Sequence, residues 1–594
     1  MKSRTSFFNG TVLKKDITRF APVWGLYILF LLVDFLTGAR NDQKEILAAS
    51  LADMMRDMSL VNLIYGGLCA NMLFGDLFQT RMCNALHAMP LRREGWFFTH
   101  IVAGLLFCFV PNLLATLFQM VLLGKYFYMA PLWLVVVTGQ FLFFFGVAVF
   151  AVMCAGNRLG MIAVYGVING FSAMVYALVK GVYEPLMYGI ELVSEPFTFF
   201  CPVFWMSEER FLRFDYDFID GVFTNGRIRE FYPQMWVYLA AVAAIGAVMA
   251  LFGLLLYRKR NLEKAGDFLA IRVLEPVFVV ICSLAGGVFL YALSEAFGFT
   301  VDYFLMGLGV VVGFFGSQML IKRTVRVFKP RQLVGLALLA VVISGSLMLT
   351  RIDPLDITRY VPETEDIVYM RIYRDNDGGI YTSVNKDCYQ LEDPAEIETF
   401  RQVHGQLLQE RQEKTDGASR LYLLYQLENG RQVKRYYSID EHTAAYETLR
   451  MYFSDWRYIF STDSWQEVKD SFTSIDISLS ESVFSYQVAL EEGLNAEDVK
   501  AITLDYWTIT DPVLLDQFLE AVRKDCEAGN MAQAHTFHVG EESIAWCYLS
   551  SNIKNDEGII IANGERFREL SIYGSSTHVK ALIDQWIAEY QTQQ

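Results

Sequence analysis

The sequence predicts an α-helical polytopic membrane protein of about nine spans, followed by a soluble α+β domain on the extracytoplasmic side. Three observations predict it. Hydrophobic residues fill 54% of the 594 positions and charged residues only 19%, with 46 Phe and 22 Met, far more apolar than average soluble usage. Charge is divided unevenly: residues 1–350 carry 28 Lys and Arg against 22 Asp and Glu, whereas residues 351–594 carry 22 against 43, a net of −21. Long apolar runs fill the first part and give way after Arg351 to short alternating ones.

A helix crosses roughly 30 Å of hydrocarbon with about 20 apolar residues. Nine stretches meet or approach that length: Phe20 to Gly38, Leu60 to Phe78, Phe98 to Leu123, Pro131 to Cys154, Leu159 to Val179, Trp236 to Leu256, Pro276 to Leu293, Tyr303 to Ile321 and Leu333 to Thr350. Asn62, Asn71 and Asp76 interrupt the second. With a cytoplasmic N-terminus, 19 basic residues fall on inner segments and nine on the longer outer ones, as the positive-inside rule requires. An odd number of spans then places the acidic tail outside. Its charge argues against nucleic acid or anionic lipid as a partner. The basic N-terminus and its apolar run lack an Ala-x-Ala-like end, which reads as an anchor, not a cleaved signal. The sequon Asn9-Gly10-Thr11 falls on the cytoplasmic side and reads as chance.

In the tail, Val368 to Tyr373 and Leu421 to Leu427 alternate as strands, Asn429-Gly430 signals a hairpin, and Val433 to Ile439 returns as its partner. Helical periods cover Glu396 to Leu408 and Thr443 to Phe453. The order recurs downstream. Asp393-Pro394 with Ile397 and Phe400 corresponds to Asp511-Pro512 with Leu515 and Phe518, and Asn429-Gly430 to Asn563-Gly564 before Phe567 to Tyr573 and a helix from Val579 to Tyr590. Two related α+β units, residues 360–460 and 465–594, are expected. Cys388, Cys526 and Cys547 are odd in number and allow at most one disulfide.

Chemical motifs are few. The chain has no GxxxxGK[ST] phosphate loop, no HExxH and no GxSxG, so no catalytic, cofactor-binding or metal residue is assigned. His535 and His538 are the closest His pair, but a metal needs three or four ligands. Asp34 and Asp76 lie near span ends and can reach the interface. Asn62, Asn71, Asn112, Gln119, Gln140, Asn169 and Gln318 suit hydrogen bonds between helices as well as substrate contact. Gly309, Gly313 and Ser317 form a small-residue row on span eight, as do Ala240, Ala244, Gly246 and Ala250 on span six. The most informative inner segment is Gln79 to Phe97, where Met82, Leu86 and Met89 share one side of a short helix, Pro90 stops it, and Arg92, Arg93 and Glu94 precede Trp96. Such a helix suits a groove on a partner; an ordinary positive-inside loop is the plainer alternative.

The segment QTRMCNALHAMPLRREGWFFTH, followed by the Pro111-Asn112 break in span three, resembles permease subunits of ABC-2-type transporters. LYRKRNLEKAG, Leu256 to Gly266, resembles the cytoplasmic end of their sixth span, and Phe7 to Phe20 their interfacial helix. The resemblance covers about residues 1–270 as a six-span permease domain. Residues 271–350 add three spans, and the tail from residue 351, beginning RIDPLDITRYVPETEDI, resembles a subgroup typical of low-GC Gram-positive bacteria. It implies a multi-pass cell-membrane exporter subunit that is not itself an enzyme. Mg-ATP would be bound and hydrolysed by a separate ABC ATPase subunit, and a second permease copy or paralogue would complete the transporter. Arg81, Met82, Leu86, His87, Met89, Pro90, Arg92, Arg93 and Glu94 would form the ATPase-coupling loop. The connection Lys180 to Met235, whose apolar run Phe197 to Met206 is too short to span, matches the place of the family's re-entrant or outer-gate helices.

The alternative is a membrane receptor whose large tail detects an extracellular ligand. No inner loop is long enough for an output domain, so such a receptor would need a partner as well. A membrane-embedded enzyme lacks an ionisable cluster at one depth.

Overall fold

The computed structural model describes residues 8–38, 44–88, 92–190, 195–219, 222–260, 262–298, 302–375, 388–410, 419–439, 442–443, 445–460, 464–479, 507–532, 543–550, 552–554, 560–563 and 568–593. The chain is mostly helical and divides into two units, residues 1–183 with 192–348 and residues 184–191 with 349–594.

The first unit opens with α1 (Gly10–Arg19) and α2 (Ala21–Gly38), which are bent by 59° about Phe20. Asn9 has a structural role here: its side chain accepts from the amides of Thr11 and Val12 as the N-cap of α1, which satisfies two of the helix's unpaired donors. The following helices are α3 (Lys44–Leu73), α4 (Thr80–Ala88), α5 (Arg93–Leu123), α6 (Met129–Cys154), α7 (Arg158–Leu178), α8 (Glu195–Phe199), α9 (Pro202–Glu208), α10 (Pro233–Lys259), α11 (Leu274–Ala296), α12 (Asp302–Lys322) and α13 (Pro330–Ile352), with the hairpin β1 (Leu212–Ile219) and β2 (Val222–Phe231) before α10. Seven described helices are long and apolar enough to cross a membrane, or eight if α1 and the first part of α2 are counted as one bent span.

The expected second stretch, Leu60 to Phe78, is displaced. Its helix starts at Lys44, ends at Leu73 and is followed by a 3₁₀ turn at Gly75–Phe78. The early charges do not stop α3, because Ala48, Leu51, Met55 and Met58 bury one face of it. Nor does Pro111 break α5. The Phe107 carbonyl that proline cannot bond accepts the Tyr65 hydroxyl at 2.8 Å, so the helix runs on.

α6 is central, with Trp133, Phe141 and Phe144 fully buried. It approaches α10 backbone to backbone: a Cβ on Gly146 would collide with the Gly246 carbonyl. The small row on α12 serves the same purpose against α11, where Gly309 and Gly313 face Gly286 and Ser283. The Asn62 amide donates to Gln140 Oε1 at 3.0 Å and Gln140 Nε2 to the Met55 carbonyl at 2.8 Å. Both therefore hold α3 to α6.

The second unit contains two sheets. β3 (Ile367–Asp375), β4 (Cys388–Leu391), α14 (Pro394–Glu410), β5 (Ser419–Leu427), β6 (Gln432–Ile439) and α15 (Tyr446–Ser454) form the first repeat, with sheet order β4-β3-β5-β6. α16 (Trp456–Phe460) and α17 (Trp465–Ser471) lead to β7 (Ser474–Leu479), β8 (Trp507–Ile509), α18 (Pro512–Glu527), β9 (Ser543–Ser550), the short pair β10 (Asn552–Lys554) and β11 (Ile560–Asn563), β12 (Arg568–Tyr573) and α19 (Thr577–Gln593). The second sheet runs β12-β9-β7-β8. Counting strands within each repeat, both sheets have the order 2-1-3-4, and every pairing is antiparallel.

In the first hairpin, Leu427 O accepts from Gly430 N and only Gly430 has φ above zero, at 79°. This is a type I turn closed by a left-handed glycine. Ile397 and Phe400 are buried on α14 as Leu515 and Phe518 are on α18. Cys526 and Cys547 are buried free thiols. The Cys388 and Asp34 side chains, His535, His538, Gly564 and Phe567 lie outside the described residues or side chains.

Candidate partner-coupling site

The candidate site is built where α3 ends and α5 begins. After the 3₁₀ turn the chain enters α4, whose first turn is closed by Cys83 N to Gln79 O at 2.8 Å. One side of α4 is seated: Cys83 is 2% exposed, and burial raises its thiol pKa above the ordinary value. The Thr80 hydroxyl donates to the Ala265 carbonyl at 3.3 Å. The other side is open, with Arg81, Asn84 and Ala85 exposed and the Met82 side chain 38% exposed. Leu86 and His87 belong to the same helix, but their side chains lie outside the description, as do Met89 and Pro90 altogether. Arg92 is exposed just before α5, and Arg93 and Glu94 open its first turn.

The last turn of α10 and the residue after it hold this corner together. Glu94 pairs with Arg258 at 3.1 Å, and Arg93 donates to the Arg258 carbonyl at 3.3 Å. Tyr257 is buried against Trp96, with ring centroids 5.6 Å apart. Arg260 is buried as well; it donates to the Val152 carbonyl at 3.0 Å and to the Leu77 carbonyl at 3.5 Å. One guanidinium thus ties the end of α6 to the 3₁₀ turn before α4. Burial lowers its pKa, yet arginine stays charged at any physiological pH.

The chain after Arg260 then lies along the turn between α6 and α7. Gly266 N donates to Gly156 O at 2.7 Å and Ala270 N to Cys154 O at 2.8 Å. A Cβ on Gly156 would collide with the Asp267 carbonyl, so this contact requires glycine.

α1 is fastened to the same corner. Asn9 N donates to Thr99 Oγ1 at 3.1 Å, Arg19 lies 3.4 Å from Asp76, and buried Asp16 lies 3.6 Å from His100 Nδ1. Neither family models, nor curated proteins, nor solved structures give a match to this chain. Among the described residues no group of three His, Cys, Asp or Glu is placed to hold a metal.

The sequence marks Arg81 to Glu94 as the coupling loop and quotes Leu256 to Gly266 only for its resemblance, with no sign that Arg258, Arg260 and residues 264–270 fasten the same corner. A buried arginine bonded to backbone carbonyls leaves no motif. Its one signal is its place in the basic stretch Arg258-Lys259-Arg260 that closes an apolar run.

Proposed function

We propose that the chain is the permease subunit of an ATP-driven ABC transporter of the ABC-2 type, an exporter energised by a separate ATPase subunit. The observation that supports it best is α4, a short helix seated by Cys83 and Thr80 with Met82 and Arg81 facing outward. Its seating joins the turn before α4, the end of α6, the start of α5 and the end of α10 through Arg260, Glu94 and Arg258. A push on α4 by a partner that closes around Mg-ATP would therefore reach α5, α6 and α10 at once. In this reading the nine apolar stretches all cross the cell membrane, α1 lies along the inner interface, the N-terminus is cytoplasmic and the acidic tail is extracytoplasmic. A second copy or a paralogue completes the pathway.

A tail that senses a ligand fits the same reading. The inclusion of residues 184–191 in the tail unit favours it, because these residues lie between two of the apolar helices in the chain.

Affinity purification of the full chain from its native membrane in mild detergent tests the proposal. A nucleotide-binding subunit should be recovered in stoichiometric amount, and the chain alone should hydrolyse no ATP. Recovery without any such subunit would reject it.

A further inference from the structure

We propose that β6 is the mechanical junction through which the state of the tail acts on the membrane helices. Both chain segments that lead into the tail unit are fastened to this one edge strand. From the first segment, residues 184–191, the Gly189 carbonyl accepts the Tyr436 amide at 3.1 Å, and the Tyr188 ring packs at a tilt of 54° against Tyr437 with centroids 5.4 Å apart. Gly189 has φ of 74°, and a Cβ there would come within 2.6 Å of the Tyr437 ring, so the contact is specific to glycine. From the second, which continues α13, the Ile357 and Tyr360 carbonyls accept Arg435 Nη2 at 2.8 and 3.0 Å. Arg435, Tyr436 and Tyr437 are consecutive, so a displacement of β6 moves both attachments together.

The second repeat serves as an internal control. Aligning Asp393-Pro394 with Asp511-Pro512 and following the pairing registers sets Arg435 against Leu570, Tyr437 against Ile572, Tyr425 against Leu549 and His404 against Val522. The second repeat is aliphatic at all four positions. The first instead buries a polar array in which His404 Nδ1 lies 2.8 Å from the Tyr425 hydroxyl and Nε2 lies 2.7 Å from the Tyr437 hydroxyl. A core of this fold does not need these polar groups, and unpartnered burial would oppose them. What distinguishes the first repeat is that its edge strand carries the two attachments, and the array sets Tyr437 beneath one of them.

The test is backbone hydrogen exchange on the full chain in lipid nanodiscs, and it needs no ATPase. Gly189→Val should release the first attachment, raising exchange at Tyr436 at least tenfold and loosening residues 179–183 and 195–208. Arg435→Leu installs the residue that the second repeat tolerates; it should loosen residues 353–360 and leave β3 and β5 at the parental rate. The junction is overturned if the attached segments keep parental exchange in both variants. It is also overturned if Arg435→Leu loosens β3 and β5 equally, since Arg435 would then serve only the core of its own sheet. The regulatory role rests on the proposed function. In a complex with its ATPase, both variants should change the hydrolysis rate at least threefold at equal recovery, and an unchanged rate would reject that role. Failure to find any ATPase would instead reject the transport reading and leave the exchange result standing.

Discussion

The Tyr183 hydroxyl lies 2.7 Å from Ser346 Oγ, and these residues stand one and three positions before the two points where the chain passes into the tail unit. The two exits are thus tied to each other on the membrane side, as their continuations are tied to β6 on the tail side. Tyr183→Phe should leave the fold intact and lower the resistance of residues 179–183 to exchange by about fivefold, as expected for the loss of one hydrogen bond worth ~1 kcal/mol. Parental exchange in this variant would show that the pair holds nothing.

The proposed topology can be read by thiol chemistry. Val513 is 64% exposed on the tail, so Val513→Cys should react with a membrane-impermeant maleimide in intact cells, whereas Met82→Cys should react only after permeabilisation. The reverse pattern would invert the topology. Cys526 and Cys547 should remain unlabelled in both states, because burial raises each thiol pKa and covers the sulfur.

The partner surface of α4 is tested by Met82→Asp with Leu86→Asp. A buried Met or Leu contributes ~1.5–3 kcal/mol, so docking of the ATPase should weaken more than about tenfold while insertion of the chain stays normal. Equal recovery and equal stimulated hydrolysis in the double variant would reject α4 as the docking element.

Arg260→Ala should destabilise the corner by about 2 kcal/mol, since the Val152 and Leu77 carbonyls lose a charged donor. Arg260→Lys should fall between the two. The midpoint of thermal unfolding in detergent measures this, and a midpoint equal to that of the parent would show that water replaces the guanidinium without cost.

His404 makes the stability of the tail depend on pH. Burial, with Arg435 and Arg401 nearby, lowers its pKa from 6.5 to about 3, so the folded tail resists a proton that the unfolded chain takes up. The contribution is complete above pH about 6.5 and is lost as pH falls toward 3, at about 1.4 kcal/mol per unit. Denaturant unfolding of the tail between pH 7.5 and 5, above the range of most carboxylates, should show this slope. Combining His404→Val, Tyr425→Leu and Tyr437→Ile should remove it; a slope unchanged in that variant would assign the effect to other groups.

Much of the helical layout was legible because apolar runs and helix ends are both local signals. Eight of the nine stretches coincide with a helix, the second running past the end of α3 at Leu73, and the Asp393-Pro394 and Asp511-Pro512 starts mark α14 and α18. The start of α3 was hidden because Glu45, Asp53, Arg56 and Asp57 dilute a hydropathy window, although the spacing of Ala48, Leu51, Met55 and Met58 is amphipathic. Arg260 and the pairing of Gly189 with Tyr436 were not legible at all. Both depend on residues far apart in sequence, and one partner in each contact is a backbone carbonyl, which any residue possesses.

That pairing also sets an order of assembly. Tyr436 follows Gly189 by 247 residues, so at ~5–20 residues per second of synthesis the Gly189 carbonyl waits roughly 10–50 s for the strand that will bond it. During this interval the membrane helices on either side of residues 184–191 are already made. The connection between them therefore receives its final shape from a strand made much later, and a ribosome that stalls in the tail would leave a chain whose membrane part is complete but whose Gly189 attachment has not formed.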